Sequence, residues 1–233
     1  MHVSVVIPAY NESATITPLL QRVLKARQAP HQWEILVVDD FSADPTIERA
    51  CKFEPEVRVL RHPFNLGKGA ALKTGFAAAR GEVVIVQDAD LEYDPAEYKL
   101  LLQPIMDGDA DVVFGSRFGG AGPHRVLFYW HYVGNRFLTM LSNITTNLNL
   151  TDMECGLVAV KTEYLRKIRL VENRFANQPE MTVKLARLGA RFYEVGITYH
   201  GRSYAEGKKI TWRDGVAAMV AILRYGVFER LFG

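Results

Sequence analysis

The sequence predicts an α/β domain: a single mostly parallel, Rossmann-like sheet with helices on both faces. Three observations carry this expectation. Short apolar runs alternate with stretches whose apolar residues recur every three or four positions, the rhythm of strand and helix in turn. The runs are continuously apolar rather than alternating, as in strands covered on both sides. Three of them end directly in polar clusters: Tyr10-Asn11-Glu12, Asp39-Asp40 and Asp88-Ala89-Asp90.

Taken in order, Val3 to Ile7, closed by Pro8, is the first strand. Ile16, Leu19, Leu20, Val23 and Leu24 then fall on one helical face. Ile35 to Val38 is the second strand, and a short helix around Pro45 to Cys51 leads to a third at Val57 to Leu60. Ala70 to Arg80 is a helix that turns Ala71, Leu72 and Phe76 inward and stops at Gly81. Val83 to Val86 is the fourth strand and Val112 to Phe114 a fifth. Val126, Trp130, Val133, Phe137, Leu141 and Ile144 then form a long apolar stripe, with Tyr129, Tyr132 and Arg136 opposite, so this helix is aromatic all round. Cys155 to Val160 reads as a strand, Glu180 to Leu188 as a helix ended by Gly189, and Phe192 to Tyr199 as a strand. Thr211 with Asp214 three residues on resembles a capping box, opening a helix through Trp212, Val216, Val220, Leu223 and Phe228. No repeat or linker interrupts the chain. Residues 1–210 therefore read as one domain, and 211–233 as an amphipathic helix packed on it or on a membrane surface.

Composition narrows the function classes. The 233 residues are 48% apolar and 23% charged, which excludes a disordered or disulfide-stapled chain. A net charge of +2 gives no argument for a nucleic-acid partner. Cys51 and Cys155 make neither a disulfide framework nor a zinc site, which favours a reducing, cytoplasmic setting. The apolar run Val216 to Leu223 is far short of the roughly twenty residues a span requires. The expectation is a cytoplasmic protein, soluble or peripheral at the inner face of a membrane.

Ligands of open α/β sheets bind outside the carboxyl ends of the strands. The three polar clusters each follow a strand, so they should converge on one edge. Asp88 and Asp90 repel one another unless a cation or hydrogen-bond donors compensate, and their oxygens suit Mg²⁺ or Mn²⁺. Asn65-Leu66-Gly67-Lys68-Gly69 precedes a helix, and a helix N-terminus favours anions. It is not a Walker loop, and no G-x-G-x-x-G follows the first strand, which argues against a dinucleotide cofactor. The six histidines are scattered without ligand spacing.

Val5-Val-Ile-Pro-Ala-Tyr-Asn-Glu12, Val37-Val-Asp-Asp40 with Asp44 and Thr46, Asn65 to Gly69 and Asp88-Ala-Asp90 stand in the order and spacing of glycosyltransferase family 2. Gly115-Ser-Arg117, Asn177 to Met181 and Glu194 to Ile197 narrow the likeness: the chain resembles the dolichol-phosphate mannose synthase and polyprenyl-phosphate glycosyltransferase branch over roughly residues 1 to 210. The resemblance implies a GT-A fold and metal-dependent, inverting transfer of a hexose from a nucleoside-diphosphate sugar, UDP- or GDP-linked, to a polyprenyl phosphate. It places Pro8, Tyr10, Glu12, Val37 and Asp39 around the nucleoside. Lys68, Asp88 and Ala89 stand at the donor, Asp90 with Asp88 at the metal, and Arg117, Arg202 and Lys208 at phosphate. Glu92 stands where a glutamine is often found in the family, and the branch's membrane hairpins are missing, as in its single-domain members.

A lipid phosphate has a second pKa near ~6, so it is already a nucleophile at neutral pH; a hydroxyl acceptor needs a base. Family members acting on hydroxyls carry Glu-Asp where this chain has Pro179-Glu180. That favours the phosphate acceptor, leaving Glu180 as a base or a positioning residue. Two alternatives stand beside this reading: transfer to a sugar or protein hydroxyl, and a non-catalytic nucleotide-sugar-binding protein. Phe128, Tyr129, Trp130 and Tyr132 read as a membrane-surface, core or homodimer contact.

Overall fold

The computed structural model describes residues 1–120, 128–202 and 212–229. Seven strands form one sheet: β1 (His2–Ala9), β2 (Gln32–Asp39), β3 (Arg58–Arg61), β4 (Val83–Val86), β5 (Val112–Ser116), β6 (Val158–Lys161) and β7 (Phe192–Gly196). Their order across the sheet is β3-β2-β1-β4-β6-β5-β7. All neighbours pair parallel except β6, which runs antiparallel between β4 and β5. Six parallel strands thus point their carboxyl ends to the same edge.

The predicted runs recur as strands because each is sealed on both faces. From β1, Val3, Val5 and Ile7 point into one apolar cluster and Val6 into another. The first cluster is closed by α1 (Ser13–Ala26) through Ile16, Leu19, Leu20 and Val23, and by α4 (Tyr98–Met106) through Tyr98 and Leu101. The second is closed by α3 (Lys68–Ala78) through Leu72 and by α7 (Asn177–Arg187) through Met181 and Leu185. Between these come α2 (Thr46–Cys51) and α6 (Thr162–Lys167). Both α4 and α6 escape the sequence reading, being short and, in α4, interrupted by Pro104.

The long stripe behaves differently from a core face. In α5 (Tyr129–Thr146), Trp130 is 78% exposed, Phe137 48% and Ile144 71%. The inward side is largely polar. Thr139 Oγ1 accepts from Met153 N at 3.2 Å, and Asn143 bonds both the N–H and the C=O of Leu150 at 3.1 and 2.8 Å. Asn135 Nδ2 donates to Asp152 Oδ1 at 3.0 Å. The helix therefore grips the segment 150–153 by side-chain hydrogen bonds. Beside it lies α8 (Trp212–Leu223), which buries Ala218, Ala221 and Ile222 against α5 and α7 and continues into a wider π-type turn, Arg224–Phe228. Tyr225 is buried there and donates to Glu172 Oε1 at 2.8 Å. The proposed cap residue Thr211 lies outside the described residues.

One ion cluster ties the far end of the sheet together. Asp111, just before β5, accepts from Arg191 Nε and Nη2 at 2.9 Å each, from Arg191 N at 3.0 Å and from Lys161 Nζ at 2.8 Å. The Arg191 hydrogen bonds hold its carboxyl well below the usual carboxylate range. Its stabilisation is therefore complete at neutral pH and declines as pH falls through the ordinary carboxylate pKa, where the unfolded chain takes up the proton first. Asp111→Asn is expected to cost about 1.5–3 kcal/mol at pH 7, by urea midpoint, and less at pH 3.

Candidate active site

The carboxyl edge of β1, β2 and β4 opens into a cavity of about 830 Å³. Turns there are tight: Asn11, Phe41 and Leu91, one after each of these strands, hold φ values of 51°, 64° and 64°, in the left-handed region. Such residues cost about 1 kcal/mol or more and persist where surroundings over-determine them. Here the β1 and β2 loops lock each other: Asn11 N donates to Ser42 Oγ at 2.9 Å, Ala43 N to Asn11 Oδ1 at 2.8 Å, and Glu12 N to Thr46 Oγ1 at 2.8 Å. Asp40, behind them, accepts from Leu66 N and Gly67 N at 2.9 and 2.7 Å and from the His62 ring at 2.7 Å. It thereby shapes the loop that presents Lys68.

Lys68 Nζ lies 2.6 Å from Asp88 Oδ1. Burial disfavours its ammonium, but Asp88 outweighs that and raises its pKa. Gly156 leaves room for this placement: a Cβ there would meet Asp88 Oδ2 and make the carboxylate shift. Asp90 is pushed up to about 7, first by burial and then by Asp88 and Glu92, with Arg202 acting against them. This surplus of negative charge, carried by oxygen donors, is what a hard divalent cation would relieve. Among the described residues no three carboxylate, imidazole or thiolate side chains converge enough to hold a metal alone. A cation at Asp88 and Asp90 would draw its other ligands from water and phosphate.

Arg202 spans the acids. Its Nη2 is 3.2 Å from Asp90 Oδ2, its Nη1 3.4 Å from Glu12 Oε2, and its backbone N donates to Glu92 Oε1 at 2.8 Å. Glu92 Oε2 also accepts from Tyr199 at 2.9 Å. The glutamate thus fastens the 199–202 segment over the aspartate turn. Arg117, at the end of β5, grips Asp152 with Nε and Nη2 at 2.6 and 2.7 Å and packs its guanidinium on the Tyr199 ring at 5.2 Å.

Pro8, Tyr10, Glu12, Lys68, Asp88, Ala89, Asp90, Arg117 and Arg202 all line this one cavity. Val37 and Asp39 do not. Both are fully buried, Val37 inside the sheet core, while Asp39 accepts from Ser42 N at 3.2 Å. Glu180 is also elsewhere. It is fully buried and accepts from Val171 N, Glu172 N and Lys184 Nζ at 2.8, 2.8 and 2.6 Å, anchoring the chain ahead of α7. Its oxygens are engaged in bracing that segment, and Glu180→Gln is expected to lower the melting temperature. Lys208 lies outside the described residues. Sequence reasoning missed Asp152, Glu154 and Tyr199, although the acids of Thr151-Asp152-Met153-Glu154 directly before a strand were a readable signal.

Residues 4–169 match the model of glycosyl transferase family 2. The chain is 34% identical to the undecaprenyl-phosphate mannosyltransferase of Micrococcus luteus over all of its own length and 97% of that protein. It is 30% identical to the dolichol-phosphate mannosyltransferase of Pyrococcus furiosus and 25% identical to the dodecaprenyl-phosphate galacturonate synthase of Rhizobium johnstonii. These alignments take in 90% and 89% of this chain but only 61% and 62% of those proteins. In fold it is similar to glucosyl-3-phosphoglycerate synthase of Mycobacterium tuberculosis, crystallised with Mn²⁺, UDP and glucosyl-3-phosphoglycerate: TM-score 0.76 at 21% identity, over 96% of this chain and 79% of that one. With the α/β GT-A fold, the convergent strand-end acids and a family match over most of the chain, the protein belongs to glycosyltransferase family 2 and is a glycosyltransferase.

Proposed function

We propose that this enzyme transfers a hexose from a nucleoside-diphosphate sugar to a polyprenyl phosphate, with inversion and with Mg²⁺ or Mn²⁺. The observation that carries the reading is one cavity holding both the acids Asp88 and Asp90 and the cations Lys68, Arg117 and Arg202. Pro8, Tyr10 and Glu12 would flank the nucleoside, with Val37 and Asp39 shaping that end from below. Asp90 with Asp88 would hold the metal, which when bound neutralises charge on the leaving diphosphate. Lys68, Arg202 and Lys208 offset the remaining phosphate charge. An acceptor phosphate oxygen then attacks the anomeric carbon, and the bonding pair to the diphosphate oxygen leaves with the nucleoside diphosphate. No proton has to be removed, and the full engagement of Glu180 supports an acceptor of that kind. Purified protein should transfer label from UDP-glucose or GDP-mannose to a short-chain prenyl phosphate, and EDTA should stop it. Transfer to sugar hydroxyls but not to prenyl phosphate would overturn the acceptor.

No helix among the described residues is long and apolar enough to cross a membrane. α5 and α8 nonetheless lie side by side and expose Trp130, Phe137, Ile144, Trp212 and Val220, with Arg136, Arg213 and Arg224 also exposed. Aromatic and basic residues together suit the headgroup region of an anionic leaflet. These exposed residues support peripheral binding at the inner face of a membrane as part of the proposal. Vesicles with 30% anionic lipid should bind the protein, 0.5 M salt should weaken this, and Trp130→Ala with Trp212→Ala should reduce it several-fold. Equal partitioning onto neutral vesicles would remove the electrostatic part. Loss of binding on dilution through a monomer–dimer transition would assign the face to a homodimer instead.

A further inference from the structure

Glu154 has no role in the transfer described above, yet it lines the same cavity. It sits in the turn between α5 and β6, two residues before the Gly156 that admits Asp88. Its Oε1 is buried and has no hydrogen-bond partner among the described residues. Burial pushes its carboxyl up to about 7, and the Arg117 guanidinium and Lys68 ammonium only partly restrain that rise. Leaving a buried acceptor unsatisfied costs about 1–3 kcal/mol, and native proteins keep few such groups without cause. The cost is recovered when something entering the cavity donates a hydrogen bond.

The chemistry of the donor restricts what that is. Diphosphate oxygens at neutral pH are acceptors, and the ionised form of Glu154, which Arg117 and Lys68 favour, repels them. On the reading above, the nucleoside end and its ribose hydroxyls are at the β1 loop. The sugar alone brings several hydroxyl donors to the neighbourhood of Lys68 and Asp88. We infer that Glu154 binds a hydroxyl of the transferred sugar and selects an uncharged hexose over a uronic acid, whose carboxylate would face it. This rests on the nucleotide-sugar reading above and assigns the sugar class within it.

The test compares binding of UDP-glucose, GDP-mannose, UDP-glucuronate, UDP and GDP, with Mn²⁺, by calorimetry on the full chain. In the wild type, one neutral nucleotide sugar should bind more tightly than its nucleoside diphosphate and than the uronate. Glu154→Met should weaken that sugar nucleotide about 10-fold or more while leaving the nucleoside diphosphate within 2-fold. Glu154→Gln, which keeps an acceptor oxygen, should lose about 3-fold and gain relative affinity for the uronate. Glu154→Met should melt at or above the wild-type temperature without ligand, since an unpaired buried acceptor has been removed. Glu154→Gln should melt close to the wild type, since the buried charge has gone but an acceptor oxygen remains; a structural carboxylate would lower the melting temperature in both. Variants that bind sugar nucleotides like the wild type, or that lose sugar nucleotide and nucleoside diphosphate equally, overturn the role of Glu154 alone. A wild type that binds no nucleotide sugar better than its nucleoside diphosphate overturns the donor reading together with it.

Discussion

Asp90→Asn is expected to lower transfer by at least about 10³-fold, or about 4 kcal/mol of barrier. The residue stands at the turn after β4 with Asp88 and Glu92 close enough to push its carboxyl up. Arg202 Nη2, 3.2 Å away, is the cation on its flank. An amide there cannot supply the charge that holds a divalent ion against a diphosphate, and Lewis-acid stabilisation of a leaving group is worth several kcal/mol. Binding of the nucleoside diphosphate should lose its dependence on Mn²⁺ in calorimetry. The fold should not suffer, because neutralising a buried carboxylate with a raised pKa removes a desolvation cost at pH 7. Turnover within a few-fold of wild type, with Mn²⁺-dependent binding intact, would show that Asp90 holds no metal.

Arg117→Lys should lower transfer to prenyl phosphate by about 10²-fold while changing nucleotide affinity less than about 3-fold. The guanidinium is locked by two parallel bonds to Asp152 and by the face of Tyr199. A lysine offers one compact charge and neither the fork nor the flat surface. Asp152 is fully buried, so the exchange also leaves a poorly paired carboxylate, and the melting temperature should fall. Activity must therefore be read well below that temperature, and Asp152→Asn is the companion variant. It unlocks Arg117 without removing its charge, so its loss should fall on kcat more than on nucleotide binding. Normal transfer by Arg117→Lys would separate this residue from the acceptor phosphate.

Much of this architecture is legible in the chain because it depends on neighbours in sequence. Val3 to Ile7, Ile35 to Val38 and Val83 to Val86 are apolar on both faces of a strand, and only a doubly covered sheet satisfies that. Parallel strands place their carboxyl ends together, so the acids following β1, β2 and β4 meet by topology alone. Tyr10, Glu12, Asp88 and Asp90 are identifiable as one site on that ground, and Pro8 and Lys68 join them through the resemblance to the family.

Partnership within the fold is a different matter, because burial and pairing depend on how the chain comes together in space and not on residue spacing. The α5 stripe has ideal helical spacing, yet tertiary structure turns Asn135, Thr139 and Ser142 inward and leaves Trp130 and Ile144 in solvent; the 150–153 segment offers hydrogen bonds that only polar side chains can meet. Glu180 sits in a motif beside an active site, but three donors from the 171–184 region claim its oxygens. Glu92 and Glu154 are equally plain in the sequence. One is spent fastening the 199–202 segment, while the other keeps a buried oxygen unpaired in the cavity wall. Where the carboxylates gather is written in the order of strands and the residues that follow them. Which of them are already satisfied is settled in three dimensions: Glu92 takes its donors from chain 107 and 110 residues away, and Glu180 takes its own from a local fold of the chain that residue spacing does not reveal.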